Sequence, residues 1–107
     1  MKIYIAGPIT GIKNYQTAFQ KAEASIRSKG QEPINPCRLD AIFSPETTSW
    51  EEYLLASLGL LRACSAILLL PGWERSRGAR REYREALKLG LAVYKDVDAV
   101  KEVREDG

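Results

Sequence analysis

The chain has 107 residues, of which 16 are basic and 14 acidic, so its net charge is only +2, and it contains no histidine. A chain of this length predicts one domain, and the balanced charge argues against binding of nucleic-acid polymers. The missing histidine excludes Ser-His-Asp and Cys-His catalytic arrangements and the most common zinc ligand, so any catalysis depends on carboxylates, hydroxyls and backbone dipoles.

The first half of the chain predicts a strand, a crossover helix and a second strand. Residues 2–6 form a β-rich run that feeds an irregular loop, and residues 14–29 carry apolar side chains at near-helical spacing until Gly30 ends the helix. A brief strand follows at 32–35. Residues 37–48 contain turn formers without periodicity, and we expect a mobile or ligand-covering loop there. The apolar positions of the predicted helix are Phe19, Ala22, Ala24 and Ile26.

In the second half, Ser49 and the acidic residues after it predict the start of a helix that ends near Cys64. Residues 66–70 then predict a buried strand, residues 77–89 a helix and residues 91–94 a further strand. Valines at 97, 100 and 103 indicate a weaker last helix that frays into the charged tail, 104–107. This alternation predicts a single domain, 1–107, with a three-layer α/β/α Rossmann-like or flavodoxin-like sandwich and four to five parallel strands.

Several classes of protein are disfavoured by what the sequence lacks. Cys37 and Cys64 have no paired spacing, and the start of the chain carries no signal-like apolar stretch, which predicts a reduced, cytoplasmic protein. The longest apolar run, 66–70, is far shorter than the ~20 residues of a membrane-spanning helix. The loop GPITG lacks the GxGxxG pattern, and no Walker A sequence occurs, which argues against hydride transfer and ATP hydrolysis. No metal-ligand spacing is recognisable, so we expect neither a metal nor another cofactor.

The chemistry that the sequence suggests depends on Glu82. At ~100° per residue, the helix beginning near Ser76 places this carboxylate within an apolar stripe. A buried carboxylate is costly, so it is either paired by a neighbour or retained because a ligand reaches it. Tyr4, in the first strand, is placed to hydrogen-bond an inward carboxylate, although a structural role is the more common one for a buried tyrosine. The predicted stripe consists of Ala79, Tyr83, Ala86, Leu87, Leu89 and Gly90.

The start of the same helix suggests an anion site. Free backbone N–H groups and the positive end of the helix dipole favour a phosphate near Ser76 and Gly78. The alternative is that Ser76 is only an N-cap and that Gly78 and Ala79 pack against the sheet. Of the basic residues nearby, only Arg75, and Arg77 at the loop, are placed to reach a phosphate. The others are predicted to face solvent: Arg80, Arg81, Arg84 and Lys88.

Three aromatic residues admit more than one interpretation. Trp73 is predicted either to stack on a base or to close its loop. Trp50 and Tyr53 are assigned to the core or to a subunit interface.

Four segments together resemble the nucleoside 2-deoxyribosyltransferase superfamily, in particular its small 2'-deoxynucleoside 5'-phosphate N-hydrolase-like members. They are YIAGPITG (4–11), INP (34–36), WEEYL (50–54) and LLPGWERSRGARRE (69–82). The resemblance implies that Glu82 is the nucleophile that attacks the anomeric carbon and that Tyr4 orients it. It also implies that Ser76, with Gly78, holds a 5'-phosphate, since relatives that act on free nucleosides carry aspartate at the Ser76 position. The sugar and base would be bound by Ser57 and by Gly7, Pro8, Ile9 and Thr10.

Two positions depart from the family pattern. The family commonly has an aspartate in the preceding helix and another before the third strand, where this chain has Ser57 and Ser65. The first aspartate contacts the sugar or assists departure of the base, and a serine cannot supply an acid of suitable pKa. Another carboxyl, such as Asp40 or Glu85, would have to act instead, or turnover is slow or absent.

The sequence therefore favours a nucleotide N-glycosidase or deoxyribosyltransferase-like enzyme acting on a small nucleotide or nucleoside. Two alternatives stay open: a module that senses or sequesters a nucleotide without chemistry, and an assembly role in which an arginine at a subunit contact pairs with Glu82. The resemblance also implies a homodimer or higher homo-oligomer. The identity of the base, the type of sugar, and hydrolysis as opposed to transfer are left undecided by the sequence.

Overall fold

The computed structural model describes residues 1–103 and has one four-stranded, all-parallel sheet with helices on both faces. The strands are β1 (Lys2–Ala6), β2 (Glu32–Ile34), β3 (Ala66–Leu69) and β4 (Ala92–Tyr94), in the order β2-β1-β3-β4. The α-helices are α1 (Tyr15–Ser28), α2 (Trp50–Arg62) and α3 (Arg77–Lys88). Three short 3-10 helices are Pro36–Ala41, Trp73–Arg75 and Val97–Ala99.

The central strands are apolar throughout because both faces of the sheet are covered. Along β1, Ile3 and Ile5 pack on one face with α1, whereas Tyr4 and Ala6 pack on the other face with α2 and α3. Side chains of a strand alternate between faces, so this division fixes which helices each residue of β1 can reach. Tyr4 therefore points to the layer that contains α3.

The helix starts that matter for the site are set by serine caps. Ser49 and Glu52 form a reciprocal capping box at the start of α2, and the Ser76 side chain accepts a hydrogen bond from the Ala79 N–H at the start of α3. The strands and helices predicted up to residue 94 are all present, within two residues of their expected ends at most boundaries. The α/β class, the parallel sheet and the three layers are confirmed.

The C-terminal segment differs from its prediction. A weak helix was expected around the three valines, but the chain forms a 3-10 helix at Val97–Ala99, and Val100 after it has an extended backbone. The Lys29 side chain donates to the carbonyls of Val97 and Val100, and the Val103 N–H donates to the Lys29 carbonyl at 2.7 Å. These backbone groups thus bond to Lys29 at the end of α1, and the Val97 carbonyl also accepts the Val100 N–H that closes the 3-10 helix. The predicted fraying tail, 104–107, lies outside the described residues.

The segment expected to be a loop after β2 begins as a helix. The 3-10 helix Pro36–Ala41 starts where the Asn35 side chain accepts from the Cys37 N–H, with proline in the first helical position. It packs against β1 and α2. Farther along, the ring of Phe43 meets Tyr53 edge-to-face at 5.4 Å. The segment therefore lies over the carboxyl end of the sheet.

Candidate active site

Glu82 lies in the second turn of α3 and faces inward, with only 7% of its surface exposed. One oxygen of its carboxylate, Oε2, accepts a hydrogen bond from the hydroxyl of Tyr4, which is fully buried on β1. Glu82 forms no salt bridge within residues 1–103. The carboxylate is therefore held by a neutral donor, and its second oxygen, Oε1, is left free of this bond.

The buried environment raises the pKa values of both Glu82 and Tyr4. Burial raises the pKa of Glu82 to about 7, and the hydrogen bond from Tyr4 opposes only part of this increase. Burial, reinforced by the charge of Glu82, raises the pKa of Tyr4 well above its usual value, while a hydrogen bond from the Ser57 side chain acts in the opposite direction. At neutral pH, Tyr4 is therefore a donor, and Glu82 keeps its proton to a higher pH than an exposed glutamate does.

The buried stripe of α3 is narrower than the sequence predicts. Its buried members are Ala79, Glu82 and Ala86, joined by Glu85, and Tyr83 is half-buried. The residues expected at its far end lie in the last turn of α3 and just beyond it, and they are exposed to solvent. Those exposed residues are Leu87, Leu89 and Gly90.

A cavity of about 1640 Å³ opens at the carboxyl ends of β1, β2 and β3, and Glu82 forms part of its wall. Ligands of open parallel sheets bind at this edge. Tyr4 does not line the cavity; it lies behind Glu82 and donates a hydrogen bond to it. The residues to which the family resemblance assigns substrate binding all line the cavity: Gly7, Pro8, Ile9, Thr10, Ser57, Ser76 and Gly78.

The end of the cavity at Ser76 combines an N-cap with an open helix terminus. The Ala79 N–H is taken by the Ser76 hydroxyl at 3.2 Å, and the Arg80 N–H is taken by the Ser76 carbonyl. The N–H groups of Arg77 and Gly78, in the first turn of α3, therefore have no acceptor within the helix. A Cβ at Gly78 would meet no heavy atom within 4 Å, so packing does not explain this glycine. Ala79, by contrast, packs in the core, as the structural alternative predicts.

Close packing explains why position 7 is a glycine. A Cβ added there would lie 2.9 Å from the Cβ of Leu70, so the loops after β1 and β3 approach each other closely only because this residue has no side chain. That approach places the two loops on one cavity wall.

Two arginines line the cavity near the start of α3. Arg77 lies with its guanidinium 4.3 Å from the centre of the Trp50 ring, which links α3 to the first turn of α2. Arg75 is exposed on the same wall. The remaining basic residues of α3 do not line it, and Arg81 is half-buried rather than exposed.

The two tryptophans lie in different parts of the molecule. Trp73 does not line the cavity but packs against Tyr83 at 4.8 Å, beside a separate hollow formed with Arg80 and Arg84. Stacking of Trp73 on a base in the main cavity is therefore wrong. Trp50 and Tyr53, assigned from sequence to the core or an interface, both line the cavity. No pattern in the sequence distinguishes a core or interface position from a position on this cavity wall.

Of the two carboxylates considered as substitutes for the missing aspartate, Asp40 lines the cavity and Glu85 does not. Glu85 pairs with Arg62 at 3.0 Å and does not line the cavity, so its proposed role as an acid is wrong. Asp40 does line the cavity and accepts a hydrogen bond from the Tyr15 hydroxyl at 2.7 Å. Ser65 precedes β3 at the amino end of the sheet, away from the cavity, so the carboxylate missing there does not affect this wall.

Over residues 1–103, no three or more His, Cys, Asp or Glu side chains are grouped so that they could hold a metal ion. Within that range, no helix has both the length and the apolar character needed to cross a membrane.

Comparisons with known proteins place this arrangement in a wider group. No curated protein sequence is significantly similar to the chain. Among solved structures, the 2-deoxyribosyltransferase from Leishmania mexicana is similar, with a TM-score of 0.64 and 24% identity, covering 86% of this chain and 61% of that one. The 2-deoxyribosyltransferase from Bacillus psychrosaccharolyticus has a TM-score of 0.66 and 20% identity, covering 87% of this chain and 69% of that one.

These similarities concern the fold, and the chain spans 61% of the length of the Leishmania protein. They confirm, at the level of the fold, the resemblance predicted from the sequence. The family model described as "Domain of unknown function (DUF4406)" matches residues 1–95. The chain therefore belongs to the DUF4406 family and has the fold of the 2-deoxyribosyltransferases.

Proposed function

We propose that the protein cleaves the N-glycosidic bond of a nucleoside 5'-monophosphate, with Glu82 as nucleophile. The observation that carries this proposal is the state of Glu82, a buried carboxylate without a cationic partner among residues 1–103 that opens onto a cavity and is oriented by Tyr4. A structural carboxylate at this depth would be expected to have a cation beside it. A glycosyl nucleophile needs free access to the sugar.

The proposed reaction proceeds in two displacements. In the first, Oε1 of Glu82 attacks the anomeric carbon, the carbon–nitrogen bond breaks, and its electron pair leaves with the base, which takes up a proton. In the second, water attacks the same carbon, releases the sugar phosphate and regenerates the carboxylate. A second base in place of water would give transfer, so both outcomes share one intermediate.

The phosphate would be bound at the start of α3. Arg75, Ser76, Arg77 and Gly78 line this end of the cavity. The N–H groups of Arg77 and Gly78, the Ser76 hydroxyl and the Arg75 side chain would bind the phosphate. Holding the phosphate there fixes the sugar over Glu82, which lies one and a half turns farther along the same helix. Gly7, Pro8, Ile9, Thr10 and Ser57 would enclose the sugar and base.

A second candidate function is nucleotide binding without turnover. It is favoured by the absence of an obvious acid, because Ser57 occupies the wall where the family resemblance implies aspartate and Glu85 is committed to Arg62. In the first function, the departing base takes its proton from solvent in the open cavity. In the second, the bound nucleotide is released unchanged.

One experiment separates these functions. Nucleoside monophosphates of the common bases, in the ribose and 2-deoxyribose series, are incubated with the protein, and released base is quantified by chromatography. The first function predicts release of base that is lost in Glu82→Gln, with the variant still folded. The second predicts calorimetric binding of nucleotide that is recovered intact. Absence of both release and binding would refute both and favour an assembly role.

Two further expectations accompany the proposal. The nucleotide pool that would supply the substrate is cytoplasmic, which agrees with the two free cysteines. We also expect a homodimer or higher homo-oligomer, as the family resemblance implies. Sedimentation analysis of the intact chain tests it.

A further inference from the structure

Asp40 stands on the opposite side of the cavity from the start of α3. It belongs to the 3-10 helix Pro36–Ala41, which directly follows β2, whereas Ser76 follows β3. Since β1 lies between these strands and neighbouring strands are ~4.8 Å apart, the two cavity ends are separated by about 10 Å at the sheet. A ligand with phosphate at one end and a base at the other fits this span.

The Asp40 carboxylate is oriented and has no ionic partner. The Tyr15 hydroxyl donates to its Oδ2 at 2.7 Å, which leaves Oδ1 free of that bond. The nearby Arg38 is occupied by Glu23 through a bidentate pair, and no salt bridge involves Asp40 within the described part of the chain. Two lysines line the cavity, Lys13 and Lys21, and neither forms a salt bridge with Asp40 or with another carboxylate of residues 1–103.

Tyr15 retains its proton at neutral pH. Its hydrogen bond to Asp40, with burial, raises the pKa of Tyr15 to about 12. The phenol therefore acts as a donor to Asp40 and does not compete with it as an acceptor for a ligand. The pair presents an acceptor edge to the cavity.

A carboxylate distinguishes bases by the groups on their edges. It accepts hydrogen bonds from N–H groups, as aspartate and glutamate do from the exocyclic amino group of cytosine, and it repels carbonyl oxygens. We infer that Asp40, held by Tyr15, is a specificity-determining residue that selects nucleotides whose base carries an exocyclic amino group. This inference rests on the proposed binding of a nucleotide with its phosphate at Ser76.

The test compares bases that differ in that amino group. Binding is measured by calorimetry in the Glu82→Gln background, which prevents turnover, with deoxycytidine against deoxyuridine monophosphate and deoxyguanosine against deoxyinosine monophosphate. A charge-assisted hydrogen bond at this exposed position predicts about tenfold tighter binding of the amino-bearing member of each pair. Adding Asp40→Asn should reduce the difference to within about threefold, and Tyr15→Phe should reduce it in part.

A matched control removes a charge of the same sign from the same segment. Glu46 is exposed and does not line the cavity, so Glu46→Gln should leave the preference for amino-bearing bases unchanged. Thermal unfolding of each variant shows whether a loss of binding reflects a loss of fold. A structural role of Asp40 would weaken all nucleotides equally, whereas the inference predicts a change in the ratio within each pair.

The outcomes separate the inference from the proposed function. If nucleotides bind but the members of each pair bind equally, or if Asp40→Asn and Tyr15→Phe leave the ratios unchanged, base selection by Asp40 is wrong and the phosphate site stands. If no nucleotide binds to any variant, the proposed function fails and the inference fails with it.

Discussion

Replacing Glu82 by glutamine should stabilise the folded protein at neutral pH. Below pH 4.5 the carboxyl is protonated in both the folded and the unfolded chain. Between pH 4.5 and about 7 the unfolded chain loses this proton while the folded protein keeps it, so the free energy of unfolding falls as the pH rises, and it levels off above 7. The full difference corresponds to ~3 kcal/mol.

The glutamine side chain removes this penalty because it is neutral at every pH and its carbonyl still accepts a hydrogen bond from Tyr4. The free energy of unfolding of the variant should exceed that of the wild type by less than ~1 kcal/mol at pH 5 and by ~3 kcal/mol at pH 8. Near neutral pH this corresponds to an increase in melting temperature of roughly 10–20 °C for a domain of this size. Urea unfolding followed by circular dichroism from pH 4 to 9 measures it.

Glu85→Gln is the matched control, since Glu85 lies on the same helix and is 8% exposed, close to the 7% of Glu82. Its carboxylate pairs with Arg62, whose side chain is 62% exposed, so removing the charge should destabilise the protein by up to ~1 kcal/mol. The two substitutions should therefore change stability in opposite directions. The view that Glu82 is an uncompensated buried carboxylate would be refuted if Glu82→Gln were no more stable than the wild type at pH 8. Refutation would also require that the difference in free energy of unfolding between the two proteins does not grow with pH.

The other predictions concern activity and the phosphate end of the cavity. Base release should rise about tenfold per pH unit below pH 7 and level off above it, because attack needs the ionised Glu82 and burial raises its pKa to about 7; a rate that falls through this range would contradict attack by the carboxylate. Ser76→Ala and Ser49→Ala each remove a helix N-cap, so each should cost ~1 kcal/mol of stability. Only Ser76→Ala should raise the KM for nucleotides. Equal effects of the two substitutions on KM would exclude a phosphate-binding role for Ser76. Gly78→Ala should leave the fold intact, because a Cβ there meets nothing within 4 Å, yet weaken nucleotide binding measured by calorimetry, whereas unchanged affinity would place the phosphate elsewhere.

Much of the fold could be predicted because local signals agree with the tertiary structure. The capping residues Ser49 and Ser76, the stop at Gly30 and the continuous apolar run of β3 each encode a boundary within a few residues of chain. The C-terminal segment could not be predicted in this way, since its backbone conformation depends on bonds to Lys29, which is distant in sequence.

The candidate site was predictable where one element carries the signal. The inward position of Glu82 follows from the helical period of α3, and its proximity to Tyr4 required knowing that β1 lies beside β3 and that Tyr4 faces the α3 layer. Trp50 was not assigned to the cavity, and Asp40 was named only as one possible substitute acid, because each reaches the cavity through tertiary packing that no local pattern encodes. Helical angles also overestimated the buried stripe at Leu87 and Leu89, where α3 ends.

The most direct test of Glu82 as nucleophile is to identify the residue that carries the sugar during turnover. A nucleoside monophosphate with fluorine at C2 of the sugar slows both displacements, because fluorine destabilises their electron-poor transition states, so the glycosyl ester accumulates. Peptide mass spectrometry after acid quenching should then find the sugar phosphate attached to Glu82 in the wild type, with an equal amount of base released. Sugar on another residue, or wild-type rates of base release by Glu82→Gln, would contradict the mechanism.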